Sequence, residues 1–137
     1  MIQIFFSFLL FSSVLNAQSV EPGIWQADSS FEINGIPLPD SQEKECITAD
    51  EAKDIKKTIT MELGRHGCAS TKWVVKDKKV EVSLKCTKSG LEATGNLRGN
   101  VSAKNYNLKG EAEGTYKNIP SEASIVLKGK WIKSCAK

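Results

Sequence analysis

Four cysteines, Cys46, Cys68, Cys86 and Cys135, follow an apolar leader, and no other feature restricts the fold of this chain so tightly. Behind an export signal, thiols meet an oxidising environment and pair with one another. No two of the four have the close spacing of zinc ligands, so no metal site is expected. The leader is Met1 to Ala17, in which Ile-Gln-Ile-Phe-Phe-Ser-Phe-Leu-Leu-Phe relaxes into Ser-Ser-Val-Leu-Asn-Ala. Its apolar run is shorter than the roughly 18 residues that cross a bilayer. It reads as a signal peptide cleaved after Ala17, with Leu15 and Ala17 in the recognition positions. Residues 18–137 then form a single β-rich domain, periplasmic or secreted, that does not span a membrane once the signal is cleaved.

The formal charge of +3 comes from scattered lysines, with only Arg65 and Arg98 as arginines. Nucleic-acid binders concentrate such charge on one face, so nucleic acid is set aside as a partner.

The mature segment alternates from the start. Trp25, Ala27, Phe31 and Ile33 share one face at period two, the pattern of a half-buried strand. Asn34-Gly35 ends it. Ile36-Pro37-Leu38-Pro39 follows, and its two prolines suit a loop or a sheet edge. A short strand over residues 43–47 carries Cys46. Thr48 and Glu51 then form a capping box for the one short helix, with Ala52, Ile55, Ile59 and Leu63 as its apolar stripe and Gly64 as its stop.

From Ala69 onward the chain reads as a β-meander. Loops at 76–79, 87–90, 102–105 and 117–122 set the registers. In the first hairpin Trp73 faces Val82 and Val75 faces Val80. In the second Leu84 faces Ala93 and Val82 faces Gly95. The third sets Leu97 against Gly110, Gly99 against Leu108, and Leu91 against Tyr116. The fourth sets Gly114 against Ile125, Ala112 against Leu127, and Leu108 against Trp131. Large residues face small ones, and glycines inside strands let a sheet bend. The expected fold is all-β: an antiparallel meander of about seven strands, curled into a small barrel or half-barrel, with one short helix and two disulfides.

That meander selects among the three possible pairings of four cysteines. Cys68 and Cys86 lie at one end of their hairpin, whereas Cys135 follows a strand that ends level with Tyr106 at the other. A Cys86–Cys135 bridge would span roughly 30 Å of strand, far beyond disulfide reach. The pairs are therefore Cys68–Cys86 and Cys46–Cys135. Each stabilises the domain by roughly 3–5 kcal/mol, the longer loop more. Placing Cys68 directly opposite Cys86 would turn Trp73 and Val75 outward, so Cys68 is expected on the bend after Gly67, diagonal to Cys86.

These landmarks resemble an exported bacterial family, the domain of unknown function 3617. The likeness lies in Pro22-Gly23-Ile24-Trp25 at the first strand, Gly35-Ile36-Pro37-Leu38-Pro39, and Cys46-Ile47-Thr48 entering the helix. Cys68, Cys86 and the closing Gly129-Lys130-Trp131-Ile132-Lys133-Ser134-Cys135 complete the order. The ending departs from the family's usual pattern, because Lys133 and Ser134 replace a Gly-Asp pair. The resemblance implies an envelope or secreted bacterial protein and supplies no catalytic residue.

No Gly-x-Ser-x-Gly or His-Glu-x-x-His motif is present. His66, the only histidine, reads as a solvated loop residue beside a bridged cysteine. Asp28, Glu32, Asp50, Glu51, Glu111 and Glu113 read as solvated carboxylates. No enzyme activity and no cofactor are expected. Lys128 and Lys130 on the last strand, and Lys76, Lys78 and Lys79 in one turn, read as protection of sheet edges. Asn100-Val101-Ser102 is a glycosylation sequon that matters only in a eukaryotic source. Trp25, Phe31, Trp73, Tyr106, Leu108, Tyr116 and Trp131 share the inner face and are the candidate lining of an apolar ligand pocket. The sequence therefore reads as a monomeric module that binds an apolar small molecule. The alternative is an envelope protein-interaction or inhibitor module acting through Ile36, Pro37, Leu38 and Pro39.

Overall fold

Strands form where apolar residues alternate in the computed structural model, which describes residues 19–136. The expected signal peptide lies outside these residues. In chain order the elements are β1 (Gly23–Ile33), β2 (Ile36–Pro37), β3 (Ser41–Ile47), a 3-10 turn (Glu51–Lys53), α1 (Lys56–Arg65), β4 (Cys68–Lys76), β5 (Lys79–Lys88), β6 (Leu91–Ser102), β7 (Asn105–Tyr116) and β8 (Ile119–Lys133). They make one antiparallel sheet in the order β2-β1-β8-β7-β6-β5-β4, with β3 also paired to β1. The sheet is a half-barrel left open, since β3 and β4 are not partners. The strand count is eight because the Ile36–Pro37 edge forms two pairs with β1.

α1 fills the concave side. Ile55, Ile59 and Leu63 are wholly buried, packed in one cluster with Val82, Leu97, Leu108, Ile125 and Leu127 of the sheet. A helix of 10 residues does not hold itself in water. Burial of those three side chains, about 1.5–3 kcal/mol each, holds it here. The helix differs from the expected one at both ends. The capping box forms, with Glu51 N–H donating to Thr48 Oγ1 and Thr48 N–H to Glu51 Oε1, but it caps only the 3-10 turn. Asp54 is extended, and its carboxylate accepts from Lys56 N–H as α1 begins. The stop comes after Gly64, at Gly67, which adopts φ 77°.

Trp73 opposite Val82, Val75 opposite Val80 and the whole β6–β7 register match the sequence reading. Two hairpins are tighter. Leu84 faces Gly95 and Val82 faces Leu97, through a turn at Ser89-Gly90 with φ of 50° and 88°. Leu108 faces Leu127, Gly110 faces Ile125 and Ala112 faces Ala123, through a turn at Lys117-Asn118 with φ of 51° and 66°. Two-residue hairpins favour this left-handed pair of residues, which lysine and serine adopt reluctantly. Pro120 is tolerated in β8 because β1 ends at Ile33, opposite Ala123, and asks nothing of an N–H beyond that level. Both shifts are even, so every side chain keeps its expected face.

Both disulfides form as expected, Cys46–Cys135 and Cys68–Cys86. With every cysteine bridged, the fold belongs to an oxidising compartment. Cys68 is directly opposite Cys86, not diagonal, and Trp73 still faces inward. A β-bulge reconciles the two: the register shifts between Ser70 and Lys72, so the extra Thr71 reverses the alternation midway along β4. Lys128 and Lys130 do not guard an edge, because β8 lies between β1 and β7. Among the described residues no helix is long and apolar enough to cross a membrane.

β6 and β7 approach each other closely at their glycines. A Cβ on Gly110 would run into the carbonyl oxygen of Asn96, and one on Gly95 into that of Glu111. Gly110→Ala is expected to lower stability in urea unfolding by about 2–3 kcal/mol, because backbone must move to admit the methyl. Gly64→Ala, on the helix with nothing within 4 Å of the new atom, should be neutral or stabilising by about 0.5–1 kcal/mol. Equal effects at the two positions would contradict the close approach.

Candidate functional site

Two neighbouring environments meet at the C-terminal end of α1. The first is polar. Arg65 reaches Glu43 and Glu45 on β3, and Glu62 on its own helix at 2.9 Å. Glu62 is almost wholly buried, with 5% of its side chain exposed. Its other oxygen accepts from Ser29 Oγ of β1 at 3.1 Å. The three carboxylates lie close enough together to hold a cation, and the guanidinium of Arg65 already serves as that cation. Burial, together with Glu62 and Glu51, raises the Glu45 carboxyl above its ordinary value. Position 62 falls one turn after Ile59, on the flank of the apolar stripe. A glutamate on a buried face is the signal by which sequence reading could have found it.

His66 is not a solvated loop residue. Its ring stacks on Phe31 with centroids 4.2 Å apart, and its Nε2 lies 3.0 Å from Ser29 Oγ. Burial lowers its pKa, and the charges of Lys88 and Arg65 add to the effect. Glu62 is 3.6 Å from the same Nε2, but Arg65 already engages that carboxylate. Serine, histidine and glutamate are thus together without forming a catalytic relay. Serine and acid both address Nε2, whereas a relay needs the acid on Nδ1 to orient the ring. Ser29 is also buried, at 3% exposure.

The second environment is apolar. On the far side of the His66 ring a pocket of about 210 Å³ opens at the end of the half-barrel. Phe31 and Ile33 of β1, Leu91 of β6, Tyr116 of β7, and Ala123 and Ile125 of β8 form its walls. The Cys68–Cys86 bridge, Leu38, Lys88 and Ser89 complete the lining. A larger concavity of about 670 Å³ is a trough on the outer face, where Arg98 and its partner Lys109 are followed along β7 by Glu111 and Glu113. It lacks an apolar interior.

Of the seven residues expected to line a pocket, the structure brings only Phe31 and Tyr116 to this one. Trp25 and Tyr106 stack within the core at 6.1 Å, and the void beside them measures only about 10 Å³, room for one water at most. Leu108 is wholly buried. Trp73 and Trp131 are half-buried outside the pocket, under Lys56 and Lys104. Trp25 packs in one core cluster with the α1 stripe, and Trp131 is held at the edge, its Nε1–H donating to the Pro22 carbonyl. Of the Ile36–Pro39 segment, Leu38 joins the pocket and its N–H donates to the Phe31 carbonyl. Ile36 is 68% exposed.

The family model described as a protein of unknown function (DUF3617) matches residues 20–135. This chain belongs to that family. The match runs from Val20, three residues before β1, through the last cysteine, so it takes in the whole sheet, the helix and both bridges. No curated protein and no solved structure matches the chain.

Replacing Arg65 by methionine leaves Glu43, Glu45 and Glu62 facing one another without a cation. A loss of about 1–3 kcal/mol at pH 7 is expected in urea unfolding, moderated because the guanidinium is partly exposed. Unpaired carboxyls that face one another have raised folded-state pKa values. The loss should therefore be complete at neutral pH and shrink as pH falls toward 5 and the carboxyls protonate. A loss that does not change with pH would mean that Arg65 acts through packing alone.

Proposed function

We propose that this protein is an exported, non-enzymatic binding module that takes a small apolar molecule into the pocket between Phe31 and Tyr116. One observation carries the reading. The concave side is filled by α1 and the aromatic core except at this end, where aromatic and aliphatic walls leave about 210 Å³ reachable from solvent. A void with such a lining gains binding free energy from any apolar body that enters it. Both disulfides support a periplasmic or secreted setting.

The test is fluorescence titration with N-phenyl-1-naphthylamine, a neutral apolar dye. A saturable rise with one site per chain is expected. Leu91→Arg, at the half-exposed start of β6, should weaken binding by roughly tenfold or more, the effect of losing one buried aliphatic contact. A titration without saturation would sink the reading.

A second reading has its own observation. Ile36 at 68% exposure and Ile119 at 63% stand on the same end of the sheet, joined by hydrogen bonds from the Asn34 turn to Ser121 and Glu122. Such exposed apolar residues suit contact with an envelope protein. Ile36→Ser is expected to abolish in-cell crosslinking to a partner while leaving dye binding intact. Unchanged crosslinking would remove this alternative.

A further inference from the structure

Polar groups around the Phe31–Tyr116 pocket are gathered on one side. Lys88 and Ser89, where β5 turns into β6, stand beside His66, where α1 ends. No residue of the lining is acidic. This contrasts with the adjoining polar cluster, where Arg65 has three carboxylates. The Lys88 ammonium instead donates to the carbonyl oxygen of Arg65 at 3.0 Å, and among the described residues it meets no carboxylate. One such bond leaves an ammonium with further donors.

The position of Lys88 is fixed by backbone. Thr87 N–H donates to the Gly67 carbonyl at 2.8 Å, and a Cβ on Gly67 would collide with the Lys88 stem. A fixed cation at the mouth of an apolar pocket, with no acid in the wall, lacks its counter-ion.

We infer that the pocket takes a free anionic amphiphile, with a short acyl or single-ring body against Phe31, Leu91 and Tyr116 and its acidic head on Lys88 and Ser89. This deepens the apolar-ligand reading and rests on it. Size argues for one short chain: about 210 Å³ is below the roughly 300–1,000 Å³ of pockets that hold drug-sized ligands. Two lipid chains would not fit. Charge-assisted hydrogen bonds at the mouth would then select an acid over the corresponding alcohol.

Calorimetric titration of the disulfide-bonded protein with octanoate, octyl phosphate, 1-octanol and octylammonium tests this. At least one of the two anions should bind roughly tenfold more tightly than octanol, the effect of one charge-assisted bond, and octylammonium more weakly than both. The better of octanoate and octyl phosphate distinguishes a carboxylate from a phosphate head. Lys88→Gln should lose the preference for the anions over octanol.

His66, the only histidine, gives an independent signal. A bound anion favours its protonated form, so its NMR titration midpoint should be higher with octanoate bound than with octanol bound. Equal binding of anion and alcohol would overturn the inference while leaving the apolar reading intact. So would octanoate binding that neither Lys88→Gln nor the His66 midpoint registers. Capture of phosphatidylglycerol vesicles without octanoate binding would replace it with a membrane role. Failure of the four octyl compounds and of the neutral dye together would remove both.

Discussion

Close approach of β6 and β7 is the constraint on which the rest of the structure depends. Along this pair a glycine stands opposite a side chain at three inward positions: Gly95 meets Ala112, Leu97 meets Gly110, and Gly99 meets Leu108. At each of these glycines a methyl group would enter the backbone of the opposite strand. The sheet can therefore coil hard at its middle, and its two halves turn toward each other around α1. A flatter sheet would leave Ile55, Ile59 and Leu63 with nothing on their second side. The pocket follows from the same curl, since its walls come from both halves: Phe31, Ala123 and Ile125 from one, Cys86 and Leu91 from the other.

The opening between β3 and β4 is managed by two kinds of chemistry. Toward the middle it is apolar, with the helix stripe pressed into the sheet. Toward the C-terminal end of α1 it is ionic, and Arg65 ties β3 to the helix through Glu43 and Glu45. His66 stands at the junction, its ring against Phe31 and its Nε2 toward Ser29. An apolar void and a charged seam can therefore lie next to each other, because an aromatic pair separates them.

Much of this was legible in the residues. Alternation gives faces, and face errors are expensive, so Trp73, Val82, Leu97 and Leu108 are where their pattern puts them even in hairpins whose turns differ from expectation. Turn lengths were less legible, because Lys117 and Ser89 adopt left-handed backbone without a residue type that announces it. The cysteine geometry was unreadable for another reason. A bulge at Thr71 leaves no mark in composition, yet it lets a disulfide and a hydrophobic face of opposite parity share one strand. The site was legible only in part: Phe31 and Tyr116 belong to it, while the tryptophans do not. Whether an inward aromatic fills a core or lines a cavity depends on where the helix docks, and period-two patterning does not encode that.

The bridge between Cys46 and Cys135 has a mechanical consequence. Cys46 lies beside Ile24 of β1, and Ile24 lies beside Lys133 on its other flank, so the bond straddles β1 and joins the strands on either side. Tension applied between Ser19 and Ala136 would run through β1, β2 and β3 to Cys46, cross the bond, and leave at Cys135. The helix and the strands β4 to β7 would lie outside the covalent path, and β8 would feel the pull only through its ladder to β1. A pull could extend the chain by on the order of 90 Å at full stretch before reaching a covalent stop, and the pocket walls on β5 to β7 would stay outside the load path.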